Sequence, residues 1–330
     1  MKVCVYGAGA IGGHLAGRLA RGGAEVSVVA RGPHLAAILA DGLRVQAADG
    51  EMHHRVAASA SPAELGVQDA VVVCTKVPAL ASVAAGIAPL LGAATSVTFV
   101  TNGIPWWYFD HNGGPLDGQR LPEVDPGDAI RTAVGVERTL GGVIYSACNV
   151  VAPGVVEVTS RTNKLIIGEP NGERTRRAVE LAAAFKAGGM PCSVSENIRT
   201  DVWSKLLNNL ANGPLCLLSR RNIRDTFANP VVREAALCVV KEAMGIAAAM
   251  GHPVPGTAEE RINLSIDIPH KPSILQDLEA GRPMEVDSLF QAPLRLAREA
   301  GIVTPTLSLT VALATHAAIA AGLYQGKGTP

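Results

Sequence analysis

Two groups of residues have the types and spacings that chemistry needs. The first is the run Gly7-Ala8-Gly9-Ala10-Ile11-Gly12. In a G-x-G-x-x-G turn the first glycine permits a tight turn and the second lets backbone approach a pyrophosphate. The third lets helix and strand pack closely, while the helix N-terminus offers N–H groups and a positive dipole to the anion. The motif alone is weak, because a flavodoxin-like turn that binds no dinucleotide uses the same glycines. Nineteen residues after Gly12 stands Arg31, in Ala30-Arg31-Gly32-Pro33-His34. NAD-binding chains usually carry an Asp or Glu there for the ribose 2′-hydroxyl. A carboxylate would repel a 2′-phosphate and a guanidinium binds it in bidentate fashion, so Arg31 predicts NADP(H). The alternative for Arg31 is a solvated strand-end charge. His34 is either a stacking partner for adenine or a surface histidine.

The second group lies in Asp201-Val-Trp-Ser-Lys-Leu-Leu-Asn-Asn-Leu-Ala-Asn212. On a helix Trp203, Leu206, Leu207 and Leu210 share one face, and Lys205, Asn208, Asn209 and Asn212 gather on the other. Asparagine is a poor helix former, so three of them inside one helix are locally costly. One reading is an ordinary exposed face. The other is an amide-and-ammonium surface lining a cleft, with Lys205 as proton donor, its pKa lowered by apolar walls. Downstream, Ser273, Asp277, Arg282 and Glu285 follow in KPSILQDLEAGRPMEVD. Pro272 and Pro283 suit first-turn positions, which puts Glu285 in the first turn of a helix begun by Pro283, where the dipole favours an anion. Capping and surface charge explain the same spacing.

Elements that would position these groups can be read along the chain. Residues 2–6 form a β-branched apolar strand, a helical pattern runs from the glycine turn to Gly22-Gly23, and Glu25–Ala30 forms a second strand. This unit has the length a parallel crossover needs. Strands at 70–74 and 96–100 run into Lys76 (in CTK) and Asn102 (in TNG), where ligands of open α/β sheets bind. Asn102-Gly103 also reads as a simple turn. A helix is expected over 78–91, strands over 132–137, 142–151, 154–160 and 164–168, and a helix over 173–188. From about 197 onward the pattern is helical, with breaks at Gly213-Pro214, 251–256, 269–272 and 281–283. The expected organisation is a dinucleotide-binding domain over 1–196 and a helical substrate and catalytic domain over 197–330.

Composition narrows the class. The 330 residues are 48% hydrophobic and 18% charged, with 29 basic side chains against 29 acidic ones. That balance excludes a phosphate-tracking nucleic-acid binder and a disordered chain. The six cysteines are far apart with no C-x-x-C pair, as in a reduced cytoplasmic protein. The N-terminus lacks the apolar core and cleavage site of a signal peptide. The apolar run 302–323 carries Pro305, His316 and several hydroxyls, so a packed helix is expected rather than a membrane span. Long apolar helices in the second half predict a homodimer through that half.

Taken in order, the glycine turn, the strand-end arginine, CTK, TNG, WSKLLNN and the Ser273-x3-Asp277-x7-Glu285 spacing resemble the ketopantoate reductase (2-dehydropantoate 2-reductase) family over nearly the whole chain. The resemblance implies an α/β Rossmann domain followed by a helical domain similar to that of 6-phosphogluconate dehydrogenase. It implies reduction of 2-dehydropantoate, a 2-oxo acid, by NADPH on the route to pantothenate and coenzyme A. Lys205 would be the general acid, Asn209 its neighbour, and Glu285 the acid that holds the lysine and the substrate. Ser273 would contact the substrate carboxylate, Asn102 would bridge nicotinamide and substrate, and Lys76 would lie on the cofactor side.

Two departures stand out. The family often has an asparagine eight residues after the catalytic lysine, before a proline. Here Gly213 holds that position and Asn212 precedes it. The stretch Trp106-Trp107-Tyr108-Phe109 concentrates aromatics in a chain with 5 Phe, 3 Trp and 4 Tyr. It is either packing or an apolar lid that selects a bulkier 2-oxo acid. Asp110 and His111 lack a third residue spaced to join them on a metal. A non-catalytic NADPH sensor would have no need of a proton donor.

Overall fold

The computed structural model describes residues 1–326, which form two compact units. One contains Met1–Thr101 and Pro105–Ile198, and the other Asn102–Ile104 with the chain from Arg199 onward.

The first unit opens with β1 (Lys2–Tyr6), α1 (Ala10–Arg21), β2 (Glu25–Val29), α2 (Gly32–Asp41), β3 (Leu43–Ala47), β4 (Gly50–His54), β5 (Ala57–Ser59) and β6 (Gln68–Val73). It continues through α3 (Leu80–Gly86), β7 (Leu91–Phe99), α4 (Ala129–Val134), β8 (Thr139–Tyr145), β9 (Cys148–Ala152) and β10 (Val155–Val158). It closes with β11 (Lys164–Gly168), α5 (Arg176–Ala187) and β12 (Cys192–Val194). Eight strands make one sheet in the order β12-β11-β8-β7-β6-β1-β2-β5. All neighbours run parallel except β8 and β11. Val3, Cys4 and Val5 of β1 are wholly buried, as expected of a central parallel strand covered on both faces.

A smaller sheet, β4-β3-β10-β9, lies against α1. Small residues at Gly13 and Gly17 permit this. A Cβ on Gly13 would stand 2.7 Å from Val156 Cγ2, and one on Gly17 would stand 2.7 Å from Val45 Cγ2. Of this sheet's strands, β10 falls within the strand expected over 154–160 and β9 overlaps that over 142–151, whereas β3, β4 and also α2 are not among the elements expected from the sequence.

The second unit's helices are α6 (Ile198–Ser219), α7 (Ile223–Phe227), α8 (Pro230–Ala249), α9 (Ala258–Asn263), α10 (Ser273–Glu279), α11 (Ala292–Glu299) and α12 (Pro305–Ala320). A π-helical turn over Asp287–Gln291 leads into α11. Among the described residues this unit has no strand of its own. Glu242 of α8 accepts from the Thr306 and Leu307 amides at 3.0 and 2.7 Å, satisfying orphan donors in the first turn of α12. No helix of the described residues is long and apolar enough to cross a membrane.

Several expectations are corrected. Residues 132–137 are not a strand. Asp125 accepts from the Ile130 and Arg131 amides, which nucleates α4, and a 3-10 turn at Val136–Arg138 follows. The strand over 142–151 is two strands, β8 and β9. The helix over 78–91 is α3 flanked by 3-10 turns at Val77–Ala79 and Ala88–Leu90. Gly213-Pro214 does not break the chain, because α6 runs through both. Pro214 forgoes only the bond to the Leu210 carbonyl, and the position of a Gly213 Cβ is 3.5 Å from Ile274 and from the Phe290 ring. Pro283 does not start a helix, and Pro272 is the N-cap of α10 rather than a first-turn residue.

The aromatic stretch is core. Trp106, Trp107, Tyr108 and Phe109 are each at most 2% exposed. Trp106 meets Phe99 edge to face at 5.6 Å, and Gly141 leaves the room that Trp107 fills. The Arg131 guanidinium lies 5.1 Å from the Trp106 ring centre and pairs with buried Asp110. These rings form no lid, and Asp110 serves an ion pair.

Candidate active site and cofactor cavity

The first unit holds a cavity of about 680 Å³, lined in part by Tyr6, Gly7, Ala8, Gly9, Val29 and Thr75. These residues stand at the carboxyl ends of β1, β2 and β6, where β1 separates the two directions of winding. Ligands of open α/β sheets bind at such a switch point. The three glycines divide their roles as the motif requires. Gly7 has φ +97°, and a Cβ there would stand 2.8 Å from Thr75 Cγ2. A Cβ on Gly9 would meet nothing within 4 Å, leaving backbone open to the cavity. A Cβ on Gly12 would stand 2.0 Å from the Gly7 carbonyl oxygen, so only glycine lets α1 approach the turn. Ala10, Ile11 and Gly12 form the first turn of α1 and do not line the cavity.

Arg31 is the N-cap residue of α2 and lines the cavity, where its Nη2 donates to Ser82 Oγ at 3.0 Å. Among the described lining residues there is no carboxylate. His34 lines the cavity and is no loose surface group. Its Nδ1 accepts from the Gly154 amide at 3.0 Å, which leaves Nε2 to donate to the Ala8 carbonyl at 2.8 Å. The imidazole ties the glycine turn to the β9–β10 hairpin, whose residues Val150–Pro153 form one cavity wall. Lys76 is the N-cap residue of a 3-10 turn outside the lining, and its neighbour Thr75 lines the cavity instead. Sequence reading missed Thr75, Ser82 and the hairpin. No signal pointed to the hairpin, since nothing in its composition differs from an ordinary exposed edge.

The second unit assembles a different kind of site from residues far apart in the chain. Lys205, on α6, donates from Nζ to Asn102 Oδ1 at 2.8 Å. Asn102 Nδ2 in turn donates to Glu285 Oε2 at 3.3 Å. Lysine and carboxylate thus fix both ends of one amide. Burial pushes the Lys205 ammonium down to about 8, and the nearby Glu285 carboxylate acts in the opposite direction. Such a lysine is charged at neutral pH and releases its proton readily, as a general acid must.

The backbone explains how Asn102 arrives there. Gly103 has φ +82°, and a Cβ on it would stand 2.2 Å from the Ser288 carbonyl oxygen. The same carbonyl accepts from the Ile104 amide at 2.9 Å. Glu285 is 5% exposed and directly precedes the helical residue Val286, its carbonyl accepting the Leu289 amide. It therefore lies just outside the helix rather than in its first turn.

The remaining predicted residues divide. Asn209 lies one turn beyond Lys205 and is half-buried, as is Asn208. Asn212 is buried and its Oδ1 has no hydrogen-bond partner. Ser273 is the exposed first residue of α10. Asp277 is 3% exposed and accepts from Arg282 Nε at 3.1 Å, an ion pair that closes the end of α10. Among the described residues, no group of three or more His, Cys, Asp or Glu side chains could hold a metal ion.

Comparison with known proteins covers both units. The family model described as ketopantoate reductase PanE/ApbA matches residues 3–172, and that described as ketopantoate reductase PanE/ApbA C terminal matches 197–318. The chain is 42% identical to a 2-dehydropantoate 2-reductase of Mesorhizobium japonicum over 98% of its own length and 100% of the relative's. A solved chain from Ralstonia solanacearum MolK2 superposes with TM-score 0.91 at 38% identity, covering 98% of this chain and 99% of that one. The 2-dehydropantoate 2-reductase of Geobacter metallireducens GS-15 superposes with TM-score 0.84 at 28% identity, covering 96% and 100%. The Rossmann-like parallel sheet and the helical second half are thus features of a shared fold, and both halves of the family's signature are present in order: the chain belongs to the ketopantoate reductase family.

Proposed function

We propose that the protein reduces the ketone of 2-dehydropantoate to the alcohol of pantoate, using NADPH. The observation that carries this reading is the Lys205–Asn102–Glu285 trio, a half-buried ammonium whose partners fix its direction and its charge. The family's relatives named 2-dehydropantoate 2-reductase supply the substrate class.

The cavity fits a dinucleotide. The backbone of Gly7, Ala8 and Gly9 would face the pyrophosphate, and Arg31 with Ser82 would receive a 2′-phosphate. Absence of a carboxylate among the described lining residues favours NADPH over NADH. When bound, the nicotinamide supplies the hydride. Lys205 Nζ then gives its proton to the oxygen that gains negative charge as the carbonyl is reduced. Asn102 Oδ1 holds the donor in one direction, and Glu285 keeps it protonated near neutral pH by opposing the effect of burial. Asn209 and Asn212 on the Lys205 face, with Ser273, are assigned to the substrate's hydroxyl and carboxylate. Asp277 is better explained by its pair with Arg282, since a second carboxylate would repel a 2-oxo acid.

A reductase for a different, bulkier 2-oxo acid, which Gly213 and the aromatic stretch both suggest, loses the second of these supports, because the stretch is buried. A cytoplasmic location is supported by six free thiols. A homodimer through the helical half is supported by α12, whose exposed Leu309, Leu313 and Ile319 give it an apolar outer side.

Following NADPH absorbance at 340 nm with 2-dehydropantoate and a panel of other 2-oxo acids tests the reading. Fast oxidation with 2-dehydropantoate is expected. Turnover confined to other acids contradicts the substrate, and none on any acid contradicts the enzyme.

A further inference from the structure

Asn102 and Glu285 reach Lys205 through one short stretch of irregular helix. The π-helical turn Asp287–Gln291 begins two residues after Glu285. A π turn shifts backbone pairing by one residue and leaves a carbonyl outside the regular ladder, which is why such turns recur at functional sites. Here the Ser288 carbonyl faces the Ile104 amide and docks the segment that carries Asn102. The geometry of the trio therefore depends on where this turn sits.

Something must hold a turn of this kind in place. The chain leaving α12 comes back to it. The Leu323 carbonyl accepts from the Met284 amide at 3.1 Å, one residue before Glu285. The Tyr324 hydroxyl donates to Asp287 Oδ1 at 2.6 Å, two residues after it. Burial, with the Asp287 carboxylate beside it, pushes the Tyr324 phenol well above its ordinary value, so it remains a donor throughout the working range.

We infer that Leu323–Tyr324 forms a clamp in which Tyr324 and Asp287 are positioning residues, holding Glu285 against Asn102 and thereby aiming the Lys205 ammonium. Neither residue touches Lys205 in the trio's hydrogen-bond chain, and their effect passes through Glu285. The inference rests on the reading of Lys205 as proton donor, and it also predicts a property measurable without turnover. Glu285 is the charged group that raises the Lys205 pKa against burial. A loosened Glu285 leaves the lysine titrating lower.

The test combines steady-state kinetics with a 13Cε NMR titration of Lys205 in the full-length protein. Tyr324→Phe keeps the ring and removes the donor. It is expected to lower kcat about 10-fold with KM for NADPH within about 2-fold. The Lys205 midpoint should fall by about 0.5 pH unit or more. Asp287→Leu should reproduce both changes, while Asp287→Asn, which retains an acceptor oxygen, should restore kcat and midpoint to near wild type. A Tyr324→Phe protein with unchanged kcat and an unmoved midpoint overturns the clamp. So does a fall in Tm or in kcat without movement of the midpoint, because the route through Glu285 is then absent. If the wild-type protein fails to reduce 2-dehydropantoate but the midpoint still moves in Tyr324→Phe, the clamp stands and the assigned reaction fails.

Discussion

The cavity and the lysine site are built by opposite means. The floor of the cavity is backbone of a single glycine turn, with Gly7, Gly9 and Gly12 each required for a different steric reason, and its walls come from short segments around Arg31, 75–83 and 150–153. The lysine site is made of side chains separated by 103 and 183 positions along the chain, joined through one amide. Local backbone geometry fixes the glycine turn of the first, whereas every member of the second is brought in by tertiary packing. Substitutions at glycine separate the two cleanly, because glycines set the shape of both.

The largest effect is expected for Gly12→Ala. A Cβ 2.0 Å from the Gly7 carbonyl oxygen forces α1 away from the turn, which should destabilise the first unit by about 4 kcal/mol. Chemical denaturation reads this directly, and a loss below about 1 kcal/mol would show that the turn adapts. Next comes Gly103→Ala, where both the positive φ and the Ser288 carbonyl oppose a side chain. It should lower kcat about 100-fold while leaving NADPH affinity within about 2-fold, as fluorescence titration can show. Equal damage to both would mean that the two sites are not separable.

Arg31→Asp should raise KM for NADPH about 30-fold and leave KM for NADH nearly unchanged, since only the 2′-phosphate distinguishes the coenzymes. Parallel losses would remove Arg31 from the phosphate. The smallest effect belongs to Gly9→Ala. Its Cβ meets no protein atom within 4 Å, so Tm should not change, yet NADPH affinity should fall about 10-fold because the methyl group occupies the path of the pyrophosphate. Unaltered affinity would place the pyrophosphate elsewhere.

The same contrast explains what could be read from sequence. Strands 2–6 and 70–74 and the turn between strand and helix were legible because burial and glycine spacing are local signals. Lys205, Asn102 and Glu285 were legible as residue types, and their grouping came from family resemblance, since no periodicity links positions so distant. The π-helical turn and Tyr324 carried no signal at all, because both act through contacts made only after folding. Local signals also misled. Thr132, Val134 and Val136 are β-branched, yet Asp125 caps their segment into a helix, and the Asp-Pro-Gly-Asp run at 125–128 was a cue left unused. Gly213-Pro214 reads as a break, yet Ile274 and Phe290 pack against α6 at that point and the helix persists. The run of aromatics reads equally as packing or as a lid, and burial of all four rings to 2% exposure or less decides for core.

In the proposed reaction Lys205 is the group that gives up a proton, and the pH dependence of kcat for 2-dehydropantoate reduction measures that act. The wild-type rate should decline as pH rises through about 8, where burial has brought the ammonium. Lys205→Ala should be slower by about 100-fold or more, lack that decline, and still bind NADPH. A Lys205→Ala enzyme that turns over near the wild-type rate, or that keeps the same alkaline decline, would contradict the assignment.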